Sequence, residues 1–190
     1  MRIGLDIDNV LVDTIRPMIS WHNIKYGTSY SREDITKFDY WKIFGLSMEQ
    51  AIRDFHEMIR EENDLITPMP YAIENMEKLE MHDKLAISSR STCIKEETEK
   101  CLEKHFGKGI REIYLANGFG FGEGNVLTKS EIARKLEVEL VVEDSMEEAR
   151  EIAKSGIKVF LYDSPWNQGI PPHNVTRIYS WQDIVSRIEL

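Results

Sequence analysis

Short apolar runs alternate along the chain with stretches of helical period. The runs cover residues 2–5, 84–88, 112–116, 140–142, 158–162 and 177–179. Each is three to five residues long, the length of a strand rather than of a buried helix. Between them, apolar residues recur three and four positions apart. Ile15, Met18, Ile19 and Trp21 predict a helix over 10–26, in which Pro17 fits only near the start or at a kink, and which Gly27 ends. Ala72, Ile73, Met76 and Leu79 predict another, with Pro70 suited to its first position. Ile94, Cys101, Leu102 and Phe106 predict a helix over 93–106, and further helices follow from Lys129 and from Met146. Strands alternating with helices imply an α/β fold, a doubly wound parallel sheet.

Residues 15–67 break this alternation. No strand pattern occurs in them, and Ser31 to Asp34 and Ser47 to Gln50 have capping-box spacing. Met48, Ile52, Phe55 and Ile59 follow at helical spacing. The segment is rich in aromatic residues, from Trp21 through Tyr30, Phe38 and Phe44 to Phe55. We read it as an all-helical cap inserted into a core formed by residues 1–14 and 68–190. Most of its aromatics fit the core of a small helical unit. Tyr40 and Trp41, adjacent in an irregular stretch, are the candidates to face a ligand. Glycines at 118, 120, 122 and 124 lack the spacing of a dinucleotide fingerprint and predict a loop over 117–125.

Size and charge narrow the classes. The chain has 190 residues, 42% hydrophobic and 30% charged, which suits one domain with a smaller insert. A formal net charge of −9 argues against a polymeric nucleic acid or an anionic membrane as partner. No apolar run is long enough to span a bilayer, and no secretory pattern opens the chain. Cys93 and Cys101, on one predicted helix, would stand roughly 12 Å apart along its axis, too far for a disulfide. Free thiols and the missing signal lead us to expect a cytoplasmic protein. Neither cysteine has a histidine suggested beside it, so neither is taken as catalytic.

The candidate chemistry lies where strands end. Asp6 and Asp8 follow the first strand two residues apart, and i and i+2 point the same way in an extended chain. Two acids in one small volume are tolerable if a cation shares it or if one keeps its proton. Ser88 closes the second strand and opens a hydroxyl-rich turn, Ser88-Ser89-Arg90-Ser91-Thr92, before a helix. That is a favourable anion site. Ser91 and Thr92 fit plain capping, and Ser88 fits ligand contact. Lys129 stands in a first turn, the wrong end of a helix dipole for a cation, which fits either a local electrostatic task or a solvated surface. Glu143 and Asp144 follow the fourth strand. Taken singly, each is also ordinary turn or capping chemistry. Together they fall on the carboxyl edge of one parallel sheet, where such folds bind ligands.

With Asp-x-Asp-x-Val after the first strand, a hydroxyl after the second, a lysine, and Glu-Asp after a later strand, the chain resembles the haloacid dehalogenase-like (HAD) superfamily. It is most similar to the 5'(3')-deoxyribonucleotidases and their prokaryotic relatives, through Pro68-Met69-Pro70, Ile87-Ser88-Ser89-Arg90 and Tyr162-Asp163-Ser164-Pro165-Trp166-Asn167. The resemblance implies a Rossmann-like HAD core with a small helical cap, and a phosphatase of nucleotides. Asp6 would be the nucleophile that forms an aspartyl-phosphate, and Asp8 the proton donor and then the base. Lys129 would offset charge. Ser88, Ser89 and Arg90 would hold phosphate, and Tyr40 and Trp41 would stack on a base. Mg²⁺ would be bound by Asp6, the backbone of Asp8 and Asp144, with Glu143 the rival acid. Ser88 stands where threonine is common, and Glu143-Asp144 where Asp-Asp is usual. A phosphatase for another small metabolite, a phosphoacceptor module and an inactive binding protein are the rival readings. The sequence leaves monomer and homodimer open.

Overall fold

The computed structural model describes residues 1–118 and 126–188. Most of the expected glycine loop, residues 119–125, lies outside the described residues. The strands are β1 (Arg2–Leu5), β2 (Val12–Asp13), β3 (Thr67–Pro68), β4 (Asp83–Ser88), β5 (Glu112–Leu115), β6 (Leu140–Glu143), β7 (Lys158–Tyr162) and β8 (Val175–Ile178). Six of them form one parallel sheet in the order β5-β4-β1-β6-β7-β8. Counting only these six in chain order, the sheet reads 3-2-1-4-5-6, the doubly wound order that reverses direction beside its first strand. The alternating runs are therefore strands, though the last begins at Val175 rather than at Arg177.

The helices are α1 (Ile15–Tyr26), α2 (Tyr40–Ile43), α3 (Met48–Glu62), α4 (Ala72–Lys78), α5 (Lys95–Phe106), α6 (Lys129–Lys135), α7 (Met146–Lys154) and α8 (Trp181–Ile188). Among the described residues none is long and apolar enough to cross a membrane. Successive strand residues point to opposite faces. Leu140 and Val142 pack with α4, α5 and α8, including the fully buried Trp181. Val141 packs on the other face with α6 and α7. Of the described glycines, Gly4 has the least room for a side chain. A Cβ there would lie 3.0 Å from Ile87 Cδ1, 3.3 Å from Val141 Cγ2 and 3.4 Å from Val138 Cγ1.

The first crossover departs from the sequence expectation. No helix starts at residue 10. Asn9 takes a left-handed φ of 58°, and the amides of Leu11 and Val12 both donate to Ile7 O. This turn buries Val10 and Leu11 completely. It then feeds β2, which pairs antiparallel with β3, Val12 opposite Pro68 and Asp13 opposite Thr67. The helix begins at Ile15, so Pro17 sits in its first turn, where its missing N–H has no cost. Pro70 also falls outside a helix, because α4 starts only at Ala72 after a left-handed Tyr71.

Between β2 and β3 the chain is helical, with α1, α2 and α3 joined by a 3-10 turn at Arg32–Asp34. Ser47 caps α3, its Oγ accepting from the Gln50 amide. His22 and Phe44 stack at 3.9 Å, with Tyr30 and Tyr40 packed around Phe44. Ile52 and Ile59 are buried as their spacing predicts, whereas Met48, on the first turn, is exposed. Tyr40 and Trp41 open the short helix α2 rather than lying in irregular chain. The two cysteines do not share a helix. Cys93 lies in a 3-10 turn (Thr92–Ile94) and Cys101 in α5, and both thiols are free.

Candidate active site

Asp6 continues the sheet by one bond beyond β1, its amide donating to Val142 O at 2.9 Å. That sets it level with Glu143, the last residue of β6, at the point where the strand order reverses. Carboxylate oxygens of Asp6, Glu143 and Asp144 lie within 4.8 Å of one another, and all three residues are buried. Lys129, at the start of α6, lies between two of them, with Nζ 2.8 Å from Asp6 Oδ1 and 2.8 Å from Glu143 Oε2. The bond to Glu143 is well directed. The approach to Asp6 Oδ1 is a close ion pair without hydrogen-bond direction, and among the described residues no other partner reaches that oxygen.

Three acids share one ammonium, and their protonation reflects it. Burial pushes Asp6 well above the usual carboxylate range, Glu143 pushes the same way, and Lys129 opposes them. Burial and then Glu143 push Asp144 up to about 8. Burial works against a charged Lys129, but Asp6 and Glu143 outweigh it and hold the ammonium well above its ordinary value. A volume that is costly for carboxylates alone is the setting in which a divalent cation is stabilised. The donors are hard oxygens, which suit Mg²⁺. The two acids of the Glu-Asp pair are not equivalent. Both oxygens of Glu143 are taken, Oε2 by Lys129 and Oε1 by the amides of Asp144 (3.1 Å) and Ser145 (3.0 Å). Asp144 faces the cavity, and both its side-chain donors among the described residues fall on Oδ2: Trp166 Nε1 at 3.1 Å and Asn9 Nδ2 at 3.3 Å. The residues present therefore fit a cation held by Asp6 and Asp144.

Asp8 is treated differently. Arg90 grips its carboxylate with two nitrogens, Nη2 2.8 Å from Oδ1 and Nε 3.1 Å from Oδ2, while Nη1 donates to Thr98 Oγ1. Burial raises the Asp8 pKa, but Arg90 outweighs it and the net shift is downward. Arg90, expected on phosphate, thus commits its guanidinium to Asp8 and Thr98. Ser88 is buried at the end of β4, with Oγ accepting from the Arg90 amide. Ser89 Oγ donates to Glu148. Ser91 does not cap through its side chain, and its Oγ lies 3.0 Å from His56 Nε2. His56 also brings an imidazole against Cys93, contrary to expectation. Sγ is 3.4 Å from Nδ1 and 3.9 Å from Nε2, which places the sulfur beside the ring rather than in line with one nitrogen.

These groups surround a cavity of about 310 Å³. Asp6, Asp8, Ser88, Ser89, Arg90, Lys129 and Asp144 supply polar lining, and Tyr40, Trp41, Phe38, Phe55 and Ile52 apolar lining. Glu143 does not reach it. Burial, and then Asp8 and Asp54, push the Tyr40 phenol far above its ordinary value, so it stays a neutral donor. Sequence reasoning assigned no role to Asn9, Trp166 or Asn167 individually. Asn167 Nδ2 donates to Asp144 O at 2.7 Å. Their signal was present, since Asn9 follows Asp8 directly and Trp166-Asn167 follow a strand's carboxyl end. His56 had no such signal.

The model of the family described as 5' nucleotidase, deoxy (pyrimidine), cytosolic type C protein (NT5C) matches residues 1–190. The chain is similar to a nucleotidase of Clostridium acetobutylicum, 24% identical over 195 residues, spanning 100% of this chain and 94% of that one. Its fold is similar to a haloacid dehalogenase-like family hydrolase from Streptococcus pneumoniae, TM-score 0.72 at 13% identity over 98% of this chain and 97% of the other. It is also similar to a HAD family hydrolase from Deinococcus radiodurans with bound phosphate and sodium, TM-score 0.66 at 14% identity, over 98% and 94%.

Proposed function

Because the chain belongs to the 5' nucleotidase, deoxy (pyrimidine), cytosolic type C protein family of haloacid dehalogenase-like phosphatases, we propose that it hydrolyses nucleoside monophosphates in the cytosol through an aspartyl-phosphate on Asp6. That it is a phosphatase with a small phosphorylated substrate follows from the family. The nucleotide, the metal and the residue roles are our reading. One observation carries it: Asp6, Asp8, Ser88, Lys129 and Asp144 line one cavity together with the aromatic Phe38, Tyr40, Trp41 and Phe55. We take residues 15–67 as the cap that supplies these aromatics.

Asp6 attacks phosphorus and the ester oxygen departs, leaving phosphate on the Asp6 carboxylate. Asp8 protonates the departing oxygen, then takes a proton from the water that releases phosphate from Asp6. Arg90 grips Asp8 as the anion, the form the second step needs. The first step needs the phosphate to share that guanidinium. Lys129 stays charged throughout and stabilises the phosphoryl group as it passes to Asp6. Ser88 Oγ and the Ser89 amide hold phosphate oxygens. Mg²⁺ held by Asp6, Asp144 and the Asp8 carbonyl would neutralise phosphate charge. Tyr40 and Trp41 pack against the base.

A phosphomonoester panel, with Mg²⁺ and with chelator, tests this reading through phosphate release. Nucleoside monophosphates are expected to turn over with the highest kcat/KM, and chelator to stop the reaction. Sugar phosphates outrunning every nucleotide would overturn the nucleotide assignment, and full activity in chelator the metal.

A further inference from the structure

The Pro165–Asn167 turn after β7 is built around Asp144. Asn167 Nδ2 donates to both Asp144 O and Tyr162 O at 2.7 Å, and Arg177 Nη1 on β8 donates to Asn167 Oδ1 at 2.7 Å. The backbone of Asp144 is thereby tied to the two outer strands. Its side chain is oriented separately. Trp166 Nε1 and Asn9 Nδ2 both donate to Oδ2, and no described residue donates to Oδ1. One oxygen is saturated, and the other is left for a ligand in the cavity that Asp144 lines. The outer face of the indole is covered from the helical segment. The Arg32 guanidinium lies 5.5 Å from the Trp166 ring centre, and its Nη1 is 3.9 Å from Asp13 Oδ1. Cation–π contact and ion pair hold Arg32 in place.

We propose that Trp166 is a positioning residue for Asp144 and that Arg32 braces it, so that the cap's seat and the grip on the cation form one connected structure. The inference rests on the reading of Asp6 and Asp144 as cation ligands. Outer partners that fix a ligand's orientation affect affinity strongly, because a carboxylate free to rotate must be ordered each time the ion binds. Coupling of this kind is reciprocal: whatever seats Arg32 on Trp166 tightens the ion, and the ion tightens that seat.

Isothermal titration of the metal-free protein with MgCl₂ alone, without substrate, tests this. Trp166→Phe keeps the ring and removes the donor, and it weakens Mg²⁺ on the order of tenfold or more. Trp166→His restores a ring N–H and recovers part of the loss. Arg32→Met weakens Mg²⁺ in the same direction by less. Melting of each metal-free variant establishes that it is folded. A Trp166→Phe affinity within twofold of the parent, or a His variant as weak as a folded Phe variant, overturns the role of the hydrogen bond. An unchanged Arg32→Met overturns the brace. Asp144→Asn separates the two levels, since binding as tight as the parent's removes Asp144 as a ligand and the positioning inference with it.

Discussion

Lys129 stands in the first turn of α6, where the helix dipole opposes a cation, and it is buried there between Asp6 and Glu143. The unfavourable position was legible in the chain, but its partners were not, because Asp6 lies 123 positions before Lys129. Two predictions belong to this scale. Asp6→Asn abolishes turnover of every phosphomonoester while far-UV circular dichroism shows the fold retained. Near-parental phosphatase activity would sink the nucleophile assignment. Lys129→Met leaves two buried acids without their cation, and removing one partner of a buried ion pair costs about 3–5 kcal/mol. Urea denaturation at neutral pH measures that loss, which shrinks as pH falls and the acids take up protons. Arg90 teaches the converse. Its position after Ser88-Ser89 suggested phosphate, whereas its grip on Asp8 depends on the turn at Asn9 and the approach of α5.

At the scale of elements, period and length predicted type well and boundaries less well. The first helix was expected over 10–26, and its apolar face was read correctly at Ile15, Met18 and Ile19. Val10 and Leu11 continued the apolar pattern, but they are buried in a turn and feed a two-residue strand whose partner lies at 67–68. So short a strand leaves no periodicity to read. Gly4 is closely packed within β1. Gly4→Ala drives a methyl against Ile87, Val141 and Val138, and overpacking of this kind costs about 1–3 kcal/mol, measurable as a lower denaturation midpoint. In α3 the Ser47 cap was visible as a capping-box pattern and is formed. Ser47→Ala lowers stability by about 1 kcal/mol, read in the same denaturation experiment.

For the whole molecule, the acidic centre sets a pH dependence. Asp144 titrates near the usual 3.8 in the unfolded chain and at about 8 in the fold. Between those values the fold keeps a proton that the unfolded chain has lost, so rising pH favours unfolding. Asp6 shifts in the same direction. Asp8 shifts the opposite way, and its stabilisation is lost only as pH falls below the ordinary carboxylate range. Relative to Asp144→Asn, the melting temperature of the metal-free parent therefore declines as pH rises from about 4 to about 8, while His22 and His56, which burial holds below their ordinary value, act in the opposite sense in both proteins. Mg²⁺ raises the melting temperature more at pH 8 than at pH 5, because protons compete with it for the same oxygens. A parent-minus-variant difference that rises across this window would refute the electrostatic picture. The chain by itself determined the alternation of strands and helices, the helical run before β3, which carboxylates and hydroxyls fall where strands end, and that a lysine opens a helix. Those are local properties, written in period, cap and breaker. Only the tertiary structure decided which of these groups touch: that Lys129 joins Asp6 to Glu143, that Arg90 holds Asp8, that Asp144 rather than Glu143 faces the cavity, and that Trp166 and Arg32 stand behind it. Each of those contacts depends on strand order and loop path, which bring together residues that no period in the sequence relates.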